Sequence, residues 1–135
     1  MAKKFFNIVS GAHEGVRSVV FSQRVLSEPI DGLEVGMAIA PSFDGKYRQA
    51  SQGSEAGAEF VFETDRHQSS GTVTTVWGIG EFETNNFDED NDIAPGNFLR
   101  LDDDGRVMRD SDPQFPRPRW ICLSNNNKTI RFKVT

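Results

Sequence analysis

Two stretches set the frame: PSFDGKYRQA, Pro41–Ala50, and LDDDGRVMRD, Leu101–Asp110. Each carries Asp-Gly, then a basic residue, then an apolar or aromatic one, and the two lie sixty positions apart. Asp-Gly suits a tight hairpin turn, because such turns need positive φ, which Gly accepts freely and Asp tolerates. Each stretch therefore predicts a β-hairpin.

Sliding the chain by sixty without gaps extends the match. Gly36 falls on Gly96, Asp44 on Asp104, Gly45 on Gly105 and Ser51 on Ser111, while Lys46 meets Arg106. Leu33 meets Ile93 upstream, and Phe60, Val61 and Thr64 meet Trp120, Ile121 and Ser124 downstream. Each half reads as an apolar residue, a Gly turn, a strand, an Asp-Gly hairpin, a strand, a loop and a further strand. Two readings stay open at this point. The halves, near 19–75 and 79–135, are copies of one unit, or Gly and Asp-Gly simply recur as they do in any β protein.

The rest of the chain has the same grammar. Phe is abundant, with 11 residues, and Gly, Asn, Asp, Ser and Thr are scattered throughout, which suits short strands and many turns. Strands are expected at Phe5–Val9, Val16–Ser22, Gly36–Ala40, Lys46–Ala50, Ala58–Thr64, Thr72–Thr84, Asn97–Leu101, Arg106–Arg109, Arg119–Ser124 and Thr129–Thr135. Val16–Ser22 also fits helical spacing, but its β-branched residues favour a strand. The last strand alternates, with Ile130, Phe132 and Val134 on one face and Arg131 and Lys133 on the other. In Thr72–Thr84, Val73, Thr75, Trp77 and Ile79 share a face, and Phe82 falls on the opposite one. Gly78 and Gly80 lie at the change, so a kink that carries the strand from one sheet to another would return Phe82 to the core. The expected fold is all-β, a compact β-barrel or β-sandwich. Residues 1–15 form an extended N-terminal arm and loop, and residues 16–135 a single β domain.

Composition narrows the function. Among the 135 residues, acids outnumber bases by 20 to 15, which argues against a nucleic-acid partner. No stretch approaches the roughly 20 apolar residues of a membrane helix, and MAKKFFNIVS has no apolar run of the secretory kind. The expectation is a protein made in a reducing cytoplasm, with neither membrane nor nucleic acid as partner. The single cysteine, Cys122, excludes an internal disulfide and a multi-cysteine zinc site.

Groups that could carry chemistry are few. Asp88–Asp92 and Asp102–Asp104 are rich in oxygen ligands, but they lack the Gly and terminal Glu of a calcium loop and read as solvated turns. His13 and His67 are the only histidines, and Ser69 and Ser70 near His67 have no nucleophile elbow around them. Cys122 lies in an apolar strand, where a structural thiol is the default. Glu81 and Glu83 share a strand face and read as its wet side. No catalytic, metal or cofactor site is expected.

Contact residues are easier to nominate. Phe5, Phe6 and Ile8 form either a strand added to the sheet or an arm that docks on a neighbour. PQFPRPRW, Pro113–Trp120, is a proline-stiffened loop offering Phe115, Arg117 and Arg119 on an otherwise acidic chain. Trp77 and Trp120 sit amid apolar strand residues, so packing is the expected use of both.

The segments Gly32–Ala50 and Gly78–Asp110 resemble small tailed-phage capsid decoration, or cement, proteins of the β-barrel type. In that group a Gly-Asp-containing segment followed by Asp-Gly recurs as a hairpin. The matching positions here are Ile93, Gly96, Asn97, Leu99, Asp104 and Gly105, with Asn97 where Asp is frequent. The resemblance implies a non-enzymatic virion protein on the capsid exterior. Its partners would be the major capsid protein and copies of itself, as trimers, and it would need no cofactor. Other expectations are a tail-tube, neck or baseplate subunit, or a carbohydrate-binding β module.

Overall fold

The computed structural model describes residues 3–9, 18–64, 71–114 and 120–135. The structure is nearly all β, with a curled half-barrel sheet and a second, small sheet. Among the described residues, ten strands run β1 (Phe6–Ile8), β2 (Ser18–Val25), β3 (Ala38–Pro41), β4 (Tyr47–Gln49), β5 (Glu59–Thr64), β6 (Thr72–Thr84), β7 (Leu99–Leu101), β8 (Val107–Arg109), β9 (Trp120–Asn125) and β10 (Ile130–Val134). One 3-10 turn, Glu55–Gly57, precedes β5.

β6 organises the molecule. Its N-terminal half pairs with β2 on one edge, from Ser18 opposite Ile79 to Val25 opposite Thr72, and with β5 on the other. Its C-terminal half pairs with β1 on one edge and with β10 on the other, Thr84 standing opposite both Phe6 and Ile130. Beyond β5 the sheet continues through β3 to β4, and beyond β10 to β9. β7 and β8 form the small sheet, joined to β9 by a bridge between Phe98 and Ile121. The exchange of neighbours along β6 falls just past Gly78, whose φ is 122°. A Cβ there would collide with the Ser18 carbonyl, so only glycine lets β2 lie this close. Phe82 is fully buried, six residues after Val76 on the same strand face and in the same core cluster. It therefore reaches the core without the change of face expected at Gly78 and Gly80. Trp77 and Ile79, on the face expected to be core, are exposed.

The main core is aromatic. Phe6, Phe60, Phe82, Phe132 and Trp120 pack together with Leu99, Leu101, Val107 and Ile130. A second cluster, Leu26, Leu33, Met37, Ile39, Val61 and Val73, fills the opposite side of β3, β5 and β6. In β10 the expected alternation holds, with Ile130 and Phe132 buried and Arg131 exposed.

β1 joins this core, so the notion of a free arm is corrected. Phe6 is 2% exposed, and its ring lies 4.6 Å from that of Phe60 and 5.2 Å from that of Phe82. Three polar contacts hold the backbone in place. Asn85 Oδ1 accepts from the Phe5 amide at 2.8 Å, Asn85 Nδ2 donates to the Lys3 carbonyl at 2.9 Å, and Thr84 Oγ1 donates to the Phe5 carbonyl at 2.7 Å.

The two Asp-Gly stretches form matching hairpins. Ser42 N donates to Lys46 O at 2.8 Å, as Asp102 N does to Arg106 O at 2.8 Å. Gly45 N donates to Ser42 O at 3.2 Å, as Gly105 N does to Asp102 O at 3.2 Å. Ala50 N reaches Ala38 O at 3.0 Å, and Asp110 N reaches Phe98 O at 2.8 Å. Gly45 and Gly105 have φ of 79° and 77°, the left-handed backbone that the turn requires. Leu26 makes a parallel bridge to Tyr47, and Phe87 makes one to Val107. The hairpins also touch: Ala38 N donates to Gly105 O at 2.8 Å, and Gln49 Nε2 to Asp103 O at 2.8 Å.

Candidate functional site

Among the described residues, the exposed large apolar side chains lie on two features, the outer strand β2 with its neighbour β6, and the apex of the β3–β4 hairpin. Val20, Phe21 and Val25 on β2 are 38%, 53% and 48% exposed, and Trp77 and Ile79 on β6 are 37% and 43% exposed. Phe43, at the hairpin apex, is fully exposed. Scattered surface hydrophobes are ordinary. Val20, Trp77 and Ile79 share one face of the β2–β6 pair, an apolar grouping of the kind that marks a contact. Phe21 and Val25 lie on the other face, Phe21 edge-on to Phe62 at 5.0 Å.

Local bonding holds both features in place. Asp44 Oδ1 accepts from the Lys46 amide at 2.9 Å and from Ser27 Oγ at 3.0 Å. The Lys46 amide first, and then the Ser27 hydroxyl, keep the Asp44 carboxyl below its ordinary range. Ser27 N in turn donates to Tyr47 O at 2.8 Å. Ser27 lies two residues beyond Val25 and Asp44 lies next to Phe43, so the apex adjoins the far end of β2.

β2 is fastened to the sheet by a carboxylate. Glu59 on β5 accepts from Arg24 Nε at 2.9 Å, Tyr47 Oη at 2.9 Å and Thr75 Oγ1 at 2.6 Å. The hydrogen bond to Glu59 raises the Arg24 guanidinium above its ordinary value, and burial first, then Glu59, pushes the Tyr47 phenol up. The Arg24 guanidinium also lies 4.8 Å from the Tyr47 ring centre. With three donors satisfied, this buried carboxylate is a fastening across four strands.

Trp77 departs from the expectation of core packing. It stands opposite Val20 on the surface, and its Nε1 donates to Ser22 Oγ at 3.1 Å. Trp120 is buried among the core phenylalanines. A cleft of about 170 Å³ lies beside Trp77 and Ile79, reaching Ala58, Phe82 and Val134. A larger, open cleft of about 1030 Å³ runs between β1 and the ends of β5 and β6, lined by Lys3, Lys4, Phe5, Phe62 and Glu63 among others.

Of the nominated contact residues, Phe6 is withdrawn, because it is core. Phe5 and Ile8 are half-buried, Phe5 lining the large cleft and Ile8 packing on the main core. Phe115, Arg117 and Arg119 lie outside the described residues, as do His13, His67, Ser69 and Ser70. Glu81 is buried, not on a wet face, and Glu83 pairs with Arg131 at 3.0 Å. Cys122 is buried, and burial pushes its thiol up. Acidic loop residues cap backbone amides: Asp88 accepts from Asp90 N at 3.1 Å, and Asp102 from Asp104 N at 2.9 Å and Arg106 N at 2.8 Å. Among the described residues, no three His, Cys, Asp or Glu side chains come together to hold a metal. No helix in the described residues is long and apolar enough to cross a membrane.

Phe43 and the β2 edge were missed by sequence reasoning. The signal for Phe43 was present, since a large aromatic inside the Asp-Gly turn has no core to reach. The signal on β2 was weaker: two adjacent apolar residues, Val20 and Phe21, must face opposite sides of a strand. No protein-family model matches the chain, and no curated protein matches it.

Proposed function

We propose that this chain is a structural protein that docks on a larger protein assembly, acting by surface recognition and not by catalysis. The observation that carries the reading is Phe43. It is fully exposed at the tip of a hairpin whose turn is bonded to Ser27 and Lys46. A rigid, protruding aromatic is the kind of anchor that fills a pocket on a partner with little entropy left to lose.

The assembly in this reading is a viral capsid, and the chain a decoration protein bound outside the major capsid subunits. Support comes from the resemblance of Gly32–Ala50 and Gly78–Asp110 to cement proteins. The hairpin-built β fold suits that role, since a protein repeated over a shell needs only modest contact per copy. Trp77 offers an exposed ring, but its neighbours Val20 and Ile79 suit an apolar protein surface better than the hydroxyls of a sugar.

The test is imaging of gold-labelled protein added to particles of the virus that encodes the chain. Saturable label over the head, weakened at least tenfold by Phe43→Ser, is expected. Label confined to the tail would move the protein to a tail component. Absence of label on any particle would defeat the reading.

A further inference from the structure

The recurring hydrogen bonds place strands in correspondence. β3, β4 and β5 correspond to β7, β8 and β9. The bridges from Leu26 to Tyr47 and from Phe87 to Val107 then match β2 with the C-terminal half of β6. The N-terminal half of β6, which lies between β2 and β5, matches β10, which lies between the C-terminal half of β6 and β9. β6 thus serves both sets, closing the first and opening the second.

One position has no counterpart. The C-terminal half of β6 is covered on its edge away from β10 by β1, antiparallel, with Phe6 opposite Thr84 and Ile8 opposite Phe82. The corresponding edge of β2, away from β6, has no strand among the described residues. β2 is eight residues long, about 27 Å of strand at 3.4 Å per residue. Exposed strands of this length usually carry Lys, Pro or a bulge that prevents pairing. β2, SVVFSQRV, has no Lys or Pro and pairs with β6 in unbroken register. Its one charge, Arg24, is tied to Glu59.

We infer that this edge of β2, left without a strand among the described residues, is a pairing site for β2 of a second copy of this chain, antiparallel across a two-fold axis. The antiparallel sense repeats what β1 does on β6. β1 of the second copy is not the occupant, since its Phe6 is buried and its backbone is held by Asn85 and Thr84. Two β2 strands form a self-complementary, nearly uncharged pair that hides Phe21 and Val25 and merges two sheets into one. This goes beyond the docking reading and makes the building block a dimer, where the family resemblance implies a trimer.

The test needs no particle, so its outcome is separate from that of the capsid reading. Sedimentation should show the 15.1 kDa chain at twice that mass at micromolar concentration. The double variant Phe21→Lys, Val25→Lys should sediment as a monomer with a circular dichroism spectrum like that of the wild type. In the wild type, amides of residues 18–25 should exchange more slowly as concentration rises. That readout decides the matter if the double variant fails to fold. A monomer or trimer in solution, or no concentration dependence in residues 18–25, would overturn the inference. Protection of those amides only on a particle would assign the edge to a foreign strand instead, which also overturns it.

Discussion

Phe6, from the start of the chain, lies flat on Phe60, with ring centroids 4.6 Å apart and planes 18° from parallel. A strand of three residues is therefore secured by one side chain at the centre of the aromatic core. Phe6→Ala should lower the unfolding free energy by about 3–5 kcal/mol, the usual loss for a buried phenylalanine. Phe6→Leu should retain most of it. Chemical denaturation of the two variants checks the order.

Gly78 is where the close approach of β2 to β6 depends on one missing methyl. Gly78→Ala places a Cβ against the Ser18 carbonyl at a φ of 122°. The unfavourable backbone alone should cost about 1–3 kcal/mol. Hydrogen exchange should show faster exchange over residues 18–25, with residues 130–134 keeping their protection.

The Glu59 fastening gives a pH signature. The folded Tyr47 phenol titrates above its ordinary value, because burial and the neighbouring Glu59 disfavour the phenolate. A folded state that holds this proton more tightly than the unfolded chain is stabilised below the unfolded value, about 10, and loses that stability as pH rises further. Cys122, raised by burial, contributes in the same direction. Tyr47→Phe should cost about 1 kcal/mol at neutral pH through the lost hydrogen bond. It should also flatten the decline in melting temperature above pH 10.

Cys122 should be inert in the folded protein. It lies buried in the core, and its Sγ approaches Ser124 O at 3.5 Å. A thiol reagent should label it only at the rate of opening or unfolding. Rapid stoichiometric labelling under native conditions would contradict the burial.

Much of the scaffold was legible because its signals are local. Asp44-Gly45 and Asp104-Gly105 specify their turns within four residues. The alternation of Ile130, Phe132 and Val134 specifies a half-buried strand, and Gly78 marks the point just before β6 exchanges its neighbours. What was not legible depends on partners distant in sequence. Glu59 reads as a wet strand residue until Arg24, Tyr47 and Thr75 converge on it. Trp77 and Phe82 sit on opposite faces of one strand, and nothing local says which face the core takes: Phe82 follows Val76 into the main core, while Trp77 is left exposed. The N-terminal phenylalanines fit a strand, the plainer reading, or a docking arm, and Asn85 holds them as a strand from eighty residues away.

The docking surface is tested most directly by hydrogen exchange of the protein free and bound to the particle. Amides of residues 42–46, at the Phe43 apex, should slow on binding, and Phe43→Ser should weaken binding while changing stability by less than about 0.5 kcal/mol. Tight binding that leaves those amides unchanged and tolerates Phe43→Ser would contradict the role given to this hairpin.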